Sequence, residues 1–532
     1  MHLYLYFSLI EIRPIFASSL FFSILFLFFF TQVFAQRRPT GAIINKETIA
    51  KTPQKVQLSF RSFRGMPESF SLEQYCPTPG DQGNHGTCVA FANGYGLATL
   101  LYAKTHDIKD KSLIDKYIFS PTFLYEQIKN EGDNECQNGS DPITAVYNLI
   151  DNGDALLRTV PYNCGVAISQ DAKAEASKYK LSDIAIVFAA KDMLTTDQYV
   201  VSPEAQIQNT KKALLEGTPV STAFYLPESF FHIKTSVWTT TPDDTLSDWK
   251  HSGHAMLVVG YDDNIAGGAF RVLNSWGTDW ADHGFIWIKY KDFTQWCVLG
   301  VQAFPDMQTP APPELNVVPE PEPKPEPKPE PKPGPQPAPT PLYSFSMSGS
   351  VEFKMNDGTN MPVSKVSTRN LVVEEEAASK EDLVAYTMQN SYHSGDKFRF
   401  YINIDKEAYI YAFATDLSGK VNRILPYDDM ISTHVGANSV VAFPSDTKIV
   451  KLDENKGTDY MLILFSTEKL NSADVATAMS KTSGGLSAKI KAALGDKLID
   501  KTNIKYNDMN VGFNYNSDQG GVIPLMVEIK HQ

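Results

Sequence analysis

From Pro319 the chain alternates proline with charge, as Pro319-Glu320-Pro321-Glu322-Pro323-Lys324 and further Pro-Glu-Pro-Lys repeats to Gly334, with prolines persisting to Pro341. A proline lacks the N–H that helices and sheets use and holds the residue before it extended, so alternate prolines forbid both. The segment 307–342 therefore reads as a polyproline II spacer, whose ~3.1 Å per residue could separate its ends by up to roughly 100 Å. It divides the chain into parts that must each build a core, and 532 residues are too many for one ordinary domain in any case. Recognition by a proline-binding partner is the alternative, and composition favours the spacer.

The net charge of −13 and the absence of a Lys/Arg-rich stripe argue against nucleic acid and against an anionic membrane surface. No glycine loop for phosphate, and no cofactor or metal motif, stands out. At the N-terminus Arg13 precedes an apolar block around Leu20 to Phe30 and then Val33-Phe34-Ala35-Gln36. That order predicts a signal peptide over 1–35 and a secreted product, whether periplasmic, cell-surface or extracellular. An uncleaved anchor is the minority alternative. Five cysteines then matter: Cys76, Cys88, Cys136, Cys164 and Cys297. An oxidising compartment leaves one thiol free and allows two bridges, in three connectivities.

Cys88 is the natural odd one out. The turn Gln82-Gly83-Asn84-His85-Gly86-Thr87 runs into the breaker-free apolar stretch Cys88-Val89-Ala90-Phe91-Ala92, which predicts a buried helix with Cys88 at its N-terminus. The dipole and unpaired N–H groups there favour the thiolate, the nucleophilic form, and the Gln82 amide could donate to an oxyanion beside it. A small apolar residue capping a core helix is the other reading of the same cysteine. Residues 36–70 carry no period and read as an extended lead-in. Helices are expected over Ser120–Ile128 and Ile143–Ile150, and strands over Pro219–Tyr225, His254–Tyr261 and Ala269–Asn274. A hairpin closing near Tyr261 and Gly268 sets His254 opposite about residue 275, hence beside Asn274. An imidazole oriented by an amide is the proton partner that a thiolate nucleophile needs, and Trp276 could cover the pair. His251 is a rival base in a polar run; His254 adjoins the buried strand and is preferred.

Gln82-Gly83, Gly86-Thr87-Cys88-Val89-Ala90-Phe91, His254-Ala255, Val259-Gly260-Tyr261 and Asn274-Ser275-Trp276-Gly277 with Trp280 and Gly284-Phe285 resemble the motifs of papain-like cysteine peptidases, in the family's order over residues 70 to 305. The resemblance implies an α+β, two-lobed papain-like fold over 71–306, with a helical lobe, an antiparallel β lobe and a cleft between them. It implies Cys88 as nucleophile, His254 as general acid/base, Asn274 as orienter and Gln82 as oxyanion donor, with peptide or protein as substrate. Cys136-Gln137-Asn138-Gly139 resembles a segment whose second glycine pairs with substrate backbone, which makes Gly139 a candidate substrate contact; Trp276 is the other substrate-binding candidate. His85 stands where the family usually has a cysteine, so the resemblance implies Cys136–Cys164 as one bridge and leaves Cys76–Cys297 as the other. Val89, Asn138 and Ala281 depart from a common tryptophan and two glycines, which alters subsite shape. The lead-in is much shorter than the family's inhibitory propeptide.

Beyond the spacer, residues 343–532 alternate in strand period, as in Lys397–Ile404, Ala408–Ala414 and Tyr460–Phe465, with a helical hairpin from Ala473 to Leu498. This region reads as a β-sandwich. Residues from about 380 to 470 are similar to a bacterial domain family of unknown function, which supplies no activity; binding of a protein or cell-surface ligand and a plain spacing role both stay open. Two functions compete: a secreted thiol peptidase, and a catalytically silent papain-fold protein whose C-terminal region does the binding. The four intact site residues favour the first.

Overall fold

A computed structural model describes residues 38–194, 200–245, 253–316, 345–365, 385–417, 419–517 and 519–532. The expected leader over 1–35, His251 and the proline repeats lie outside the described residues. No helix among the described residues is long and apolar enough to cross a membrane.

The first half of the chain builds two lobes, and local chemistry sets the helix starts. Ser120, Asp141 and Ser202 each accept a hydrogen bond from the backbone N–H three residues on, and each is followed by proline at the first helical position, opening Pro121–Ile128, Pro142–Asp151 and Pro203–Leu215. The central helix departs from expectation. It is α-helical over Cys88–Ala90, widens to a π-helix over Phe91–Ala98 and returns to α over Thr99–Thr105. Gly96 lies where it faces the sheet: a Cβ there would come within 3.2 Å of the Leu257 side chain.

The second lobe is a sheet of eight strands among the described residues: β1 (Ser69–Ser71), β2 (Leu181–Ala189), β3 (Val220–Tyr225), β4 (Val237–Trp238), β5 (Gly253–Asp262), β6 (Ala269–Leu273), β7 (Phe285–Lys289) and β8 (Cys297–Pro305). Its order is β2-β8-β3-β5-β6-β7-β4, with β1 also on β5. Strand β5 is buried along nearly its whole length, as its unbroken apolar run predicts. Each of Met256, Leu257, Val258 and Val259 is at most 1% exposed, worth about 1.5–3 kcal/mol per side chain, and this anchors the strand that begins beside His254.

Residues 345–532 form two facing sheets, of seven and six strands among the described residues, with Phe400, Ile402, Ile410, Ile463, Phe465 and Phe513 between them. Helices Ser472–Lys481 and Leu486–Leu494 cover the outer side of the larger sheet through Met479 and Ile490. The two halves of the chain touch. Lys469 pairs with Asp183 at 2.7 Å, and Lys212 donates to the carbonyls of Ala437 and Asn438. The His434 ring lies 3.6 Å from Phe304 and 4.5 Å from Tyr409, between the halves. The lead-in is not uniformly extended. It carries a helix at Lys46–Lys51, capped by Asn45, and a 3-10 turn at Phe60–Phe63.

Cysteine pairing needs one correction. Cys136 and Cys164 are bridged, but the expected Cys76–Cys297 bridge does not form, and Cys76, Cys88 and Cys297 are all free and buried. Cys76 follows the turn Glu73–Tyr75 with its sulfur near the Leu72 carbonyl, whereas Cys297 opens β8 with its sulfur 3.5 Å from the Leu299 carbonyl. Each is a buried thiol with a local acceptor, which is how unpaired cysteines serve a core. The single bridge closes a span of 28 residues around the Gly139 loop. Replacing both Cys136 and Cys164 by serine is expected to lower unfolding stability by about 3 kcal/mol, measured by denaturant titration.

Candidate active site

Strand pairing brings His254 and Asn274 together. β5 and β6 run antiparallel with Leu257 opposite Leu273 and a bulge between Val258 and Gly260, which puts His254 one residue away from the expected register yet still beside Asn274. The His254 Nε2 lies 2.8 Å from Asn274 Oδ1. That amide oxygen also accepts the Ser275 N–H at 2.8 Å, which orients the amide and obliges His254 Nε2 to be a donor. The lone pair is then on Nδ1, a buried atom with no hydrogen-bond partner among the described residues. Trp276, 1% exposed, tilts across the imidazole at 4.9 Å and is itself packed by Phe230, Phe231 and Trp280, so the pair is shielded from water.

Cys88 arrives from the other lobe. Its sulfur accepts the N–H of Ala255, the residue next to His254, at 3.5 Å. Gln82 is fully buried one turn upstream: its Nε2 donates to the His85 carbonyl at 2.7 Å, and its Oε1 accepts the Ser275 hydroxyl at 2.6 Å. The Gln82 N–H donates to the Ser275 carbonyl at 2.9 Å, so the Gln82 loop and the Asn274 loop are stitched together by both backbone and side chain. Ser275 stands in the Asn274 motif, but its tie to Gln82 carries no signal in the sequence without the fold.

Gly139 takes a left-handed backbone, φ 75°, on the opposite wall. Its neighbour Ser140 is occupied by the chain itself. Ser140 N–H donates to the Gly41 carbonyl and Ile43 N–H to the Ser140 carbonyl, both at 2.9 Å, in the parallel sense, while the N–H groups of Gly41 and Ala42 both reach the Gly253 carbonyl. Residues 40–43 thus run across the cleft from the Gly139 wall to the start of β5. Only glycine fits at 41, because a Cβ there would lie 2.0 Å from the Gly86 carbonyl oxygen. The sequence held no sign of this beyond one glycine in a segment without period.

The cover changes the electrostatics. A helix N-terminus favours a thiolate, but burial dominates here and pushes the Cys88 thiol up to about 11, against the opposing pull of the N–H groups of Ala255, Gly41, Val89 and Cys88. Burial likewise brings His254 down to about 4, against the Asn274 hydrogen bond, which raises it. In this closed arrangement thiol and imidazole are both neutral at pH 7. Since the closed form cannot take up a proton on His254 until about pH 4, whereas a solvated imidazole does so near 6.5, its stability falls as pH drops through that window, by up to about 3 kcal/mol. Melting of the wild type is expected to lose more between pH 7 and 4.5 than melting of His254→Gln; equal losses would contradict the assignment.

Residues 66–304 match the sequence model of the papain family cysteine proteases, and residues 391–469 match a domain of unknown function (DUF4384). Cathepsin L of Sarcophaga peregrina is 25% identical over 250 residues, 45% of this chain and 64% of that protein. Cathepsin B-like CP3 of Giardia intestinalis is 26% identical over 225 residues, 41% of this chain and 68% of that protein. The chain thus spans about two thirds of the length of these relatives. Among solved structures, xylellain, a cysteine protease from Xylella fastidiosa, aligns with a TM-score of 0.40 at 20% identity, covering 51% of this chain and 99% of that one. The chain therefore carries a papain-family cysteine peptidase domain, followed by a domain of unknown function.

Proposed function

We propose that the protein hydrolyses peptide bonds in peptide or protein substrates through Cys88, His254, Asn274 and Gln82, and that residues 1–35 direct its export. The observation that carries the first part is the fixed tautomer. An imidazole whose Nε2–H is held by an oriented amide keeps its basic Nδ1 for the sulfur, and the Ala255 N–H contact puts that sulfur next to the same residue. The Cys136–Cys164 bridge supports export into an oxidising compartment.

In the proposed cycle residues 40–43 leave the cleft and substrate backbone takes their place along Gly139 and Ser140. The Cys88 thiol transfers its proton to His254 Nδ1 and the sulfur attacks the scissile carbonyl carbon, forming a C–S bond while the carbonyl oxygen becomes an oxyanion. The Gln82 Nε2–H and the Cys88 backbone N–H are the donors suited to that oxygen. The imidazolium then gives its proton to the amine as the C–N bond breaks, leaving a thioester. Water, deprotonated by His254, cleaves the thioester and restores the thiol. Asn274 holds the ring through both steps, and the aromatic cover of Trp276 keeps water from the His–Asn contact.

The test is hydrolysis of casein under reducing conditions. Cys88→Ala is expected to abolish turnover, and Gln82→Ala to lower kcat by about 10²-fold with little change in KM, as for loss of an oxyanion donor. A wild type without turnover, even after residues 40–43 are displaced, would leave the silent binding protein as the reading.

A further inference from the structure

The segment that covers Cys88 is continuous with one that belongs to the other half of the molecule. Val56 and Leu58, 6% and 7% exposed, are members of the C-terminal core together with Val351, Phe353, Phe400 and Val441, and Phe63 packs against the same cluster. Alternate apolar residues facing a sheet core are what an added strand presents. The backbone is held at two isolated bridges: beside Ile431, in the parallel sense, Gln54 N–H donates to the Met430 carbonyl and Ser432 N–H to the Gln54 carbonyl, and beside Val441, in the antiparallel sense, Ser59 N–H donates to the Val440 carbonyl, at 2.7–2.8 Å. Leu58 sits opposite Val441, on the edge strand Ser439–Phe443 of the smaller sheet.

Beyond Leu58 the contacts turn polar. Asp446 accepts from the Phe60 N–H at 2.7 Å and the Ser59 hydroxyl at 3.0 Å, Ser62 Oγ accepts the Val440 N–H, and the Arg61 guanidinium lies 3.8 Å over the Tyr401 ring and pairs with Glu352. On its other side the segment pairs with β2, the edge strand of the peptidase sheet: Ile186 N–H donates to the Pro53 carbonyl and Lys55 N–H to the Ile186 carbonyl, both at 2.8 Å. Between this docked stretch and the cleft stands only the helix Lys46–Lys51, about 9 Å of rigid rise. Its Ile49 is 1% exposed against the peptidase core, and Asn45 and Thr52 close its two ends.

We propose that the C-terminal domain is a strand-addition receptor whose occupant is the chain's own residues 54–63, and that its hold on them keeps residues 40–43 seated over Cys88. The domain of unknown function then acts as the clamp on the closed cleft. The ligand class is an extended peptide with apolar residues at alternate positions followed by a Ser-Phe-Arg-Ser turn. Release of that strand, by cleavage within the lead-in or by a competing peptide of the same pattern, frees the cleft. The consequence for catalysis rests on the peptidase reading above; the docking itself does not.

The two are separated by measuring them separately. In the full chain carrying Cys88→Ala, which needs no activity, amide hydrogen exchange is followed at Ala42 and Ile43, whose N–H groups bond across the cleft to Gly253 and Ser140. Adding Val56→Asp and Leu58→Asp is expected to speed exchange at both sites by about tenfold or more, with β5 still protected. Arg61→Ala with Asp446→Ala, changed outside the core, is expected to act in the same direction, so a misfolded core variant does not decide the matter. Undocking seen at Gln54 and Ser59, whose N–H groups bond to Met430 and Val440, with Ala42 and Ile43 unchanged would overturn the clamp. In the otherwise native chain Gly41→Val, which cannot seat against Gly86, sets the activity of an open cleft, and the docking variants are expected to approach it. Faster exchange with no hydrolysis from any of these variants keeps the clamp and removes the peptidase reading.

Discussion

The hydrogen bond from His254 Nε2 to Asn274 Oδ1, with the Ser275 N–H on the same oxygen, is the contact on which the functional arrangement depends. An asparagine amide can flip by half a turn at little cost in isolation, and a flip would present a donor to the imidazole and invert its tautomer. The Ser275 N–H prevents this, and Ser275 is in turn tied through its hydroxyl and carbonyl to Gln82, the proposed oxyanion donor. Asn274, Ser275 and Gln82 are therefore one connected unit spanning the two lobes, so the lobes cannot shift against each other without disturbing both proposed roles.

The same cleft shows how burial and chemistry oppose each other. A nucleophilic thiol needs a charged form, and the helix start at Cys88 favours one, yet desolvation of the buried sulfur outweighs the local N–H groups, that of Gly41 among them. The neutral pair that results fits a closed molecule; in the proposed function, opening the cleft is also the step that lets the thiol ionise. Holding the cover in place requires enough buried contact to offset the entropy of ordering the segment, roughly 1–2 kcal/mol per residue. In the proposed clamp the apolar anchorage of Ile49, Val56 and Leu58 adds to the hydrogen bonds at the cleft.

Much of this was legible in the residues and some was not, for physical reasons. Cysteine, histidine, asparagine and glutamine stand out because reaction chemistry restricts the side chains that will serve, and the β5–β6 hairpin is short enough that its register follows from its turn to within one residue. The sandwich over residues 345–532 was legible from strand period in the same way. Thiol pairing was legible in part: the expected Cys136–Cys164 bridge forms, but nothing in a count of five cysteines says whether Cys76 and Cys297 meet. The docking of Val56 and Leu58 onto a sheet edge nearly four hundred residues away was hidden for a different reason. Two apolar residues in alternation, Val56 and Leu58, are too short a pattern to announce a strand, and their partner Val441 is set by tertiary geometry alone. The widening of the helix at Phe91–Ala98 left no trace in apolar spacing either.

The central claim is that one sulfur among three free thiols is placed for attack on a carbonyl. The direct measurement is peptide mapping of the full chain after reaction with a peptidyl epoxide under reducing conditions. The account predicts an adduct on Cys88, with Cys76 and Cys297 unmodified in their buried local contacts. An adduct distributed over the three thiols, or none on Cys88 once residues 40–43 are displaced, would contradict it.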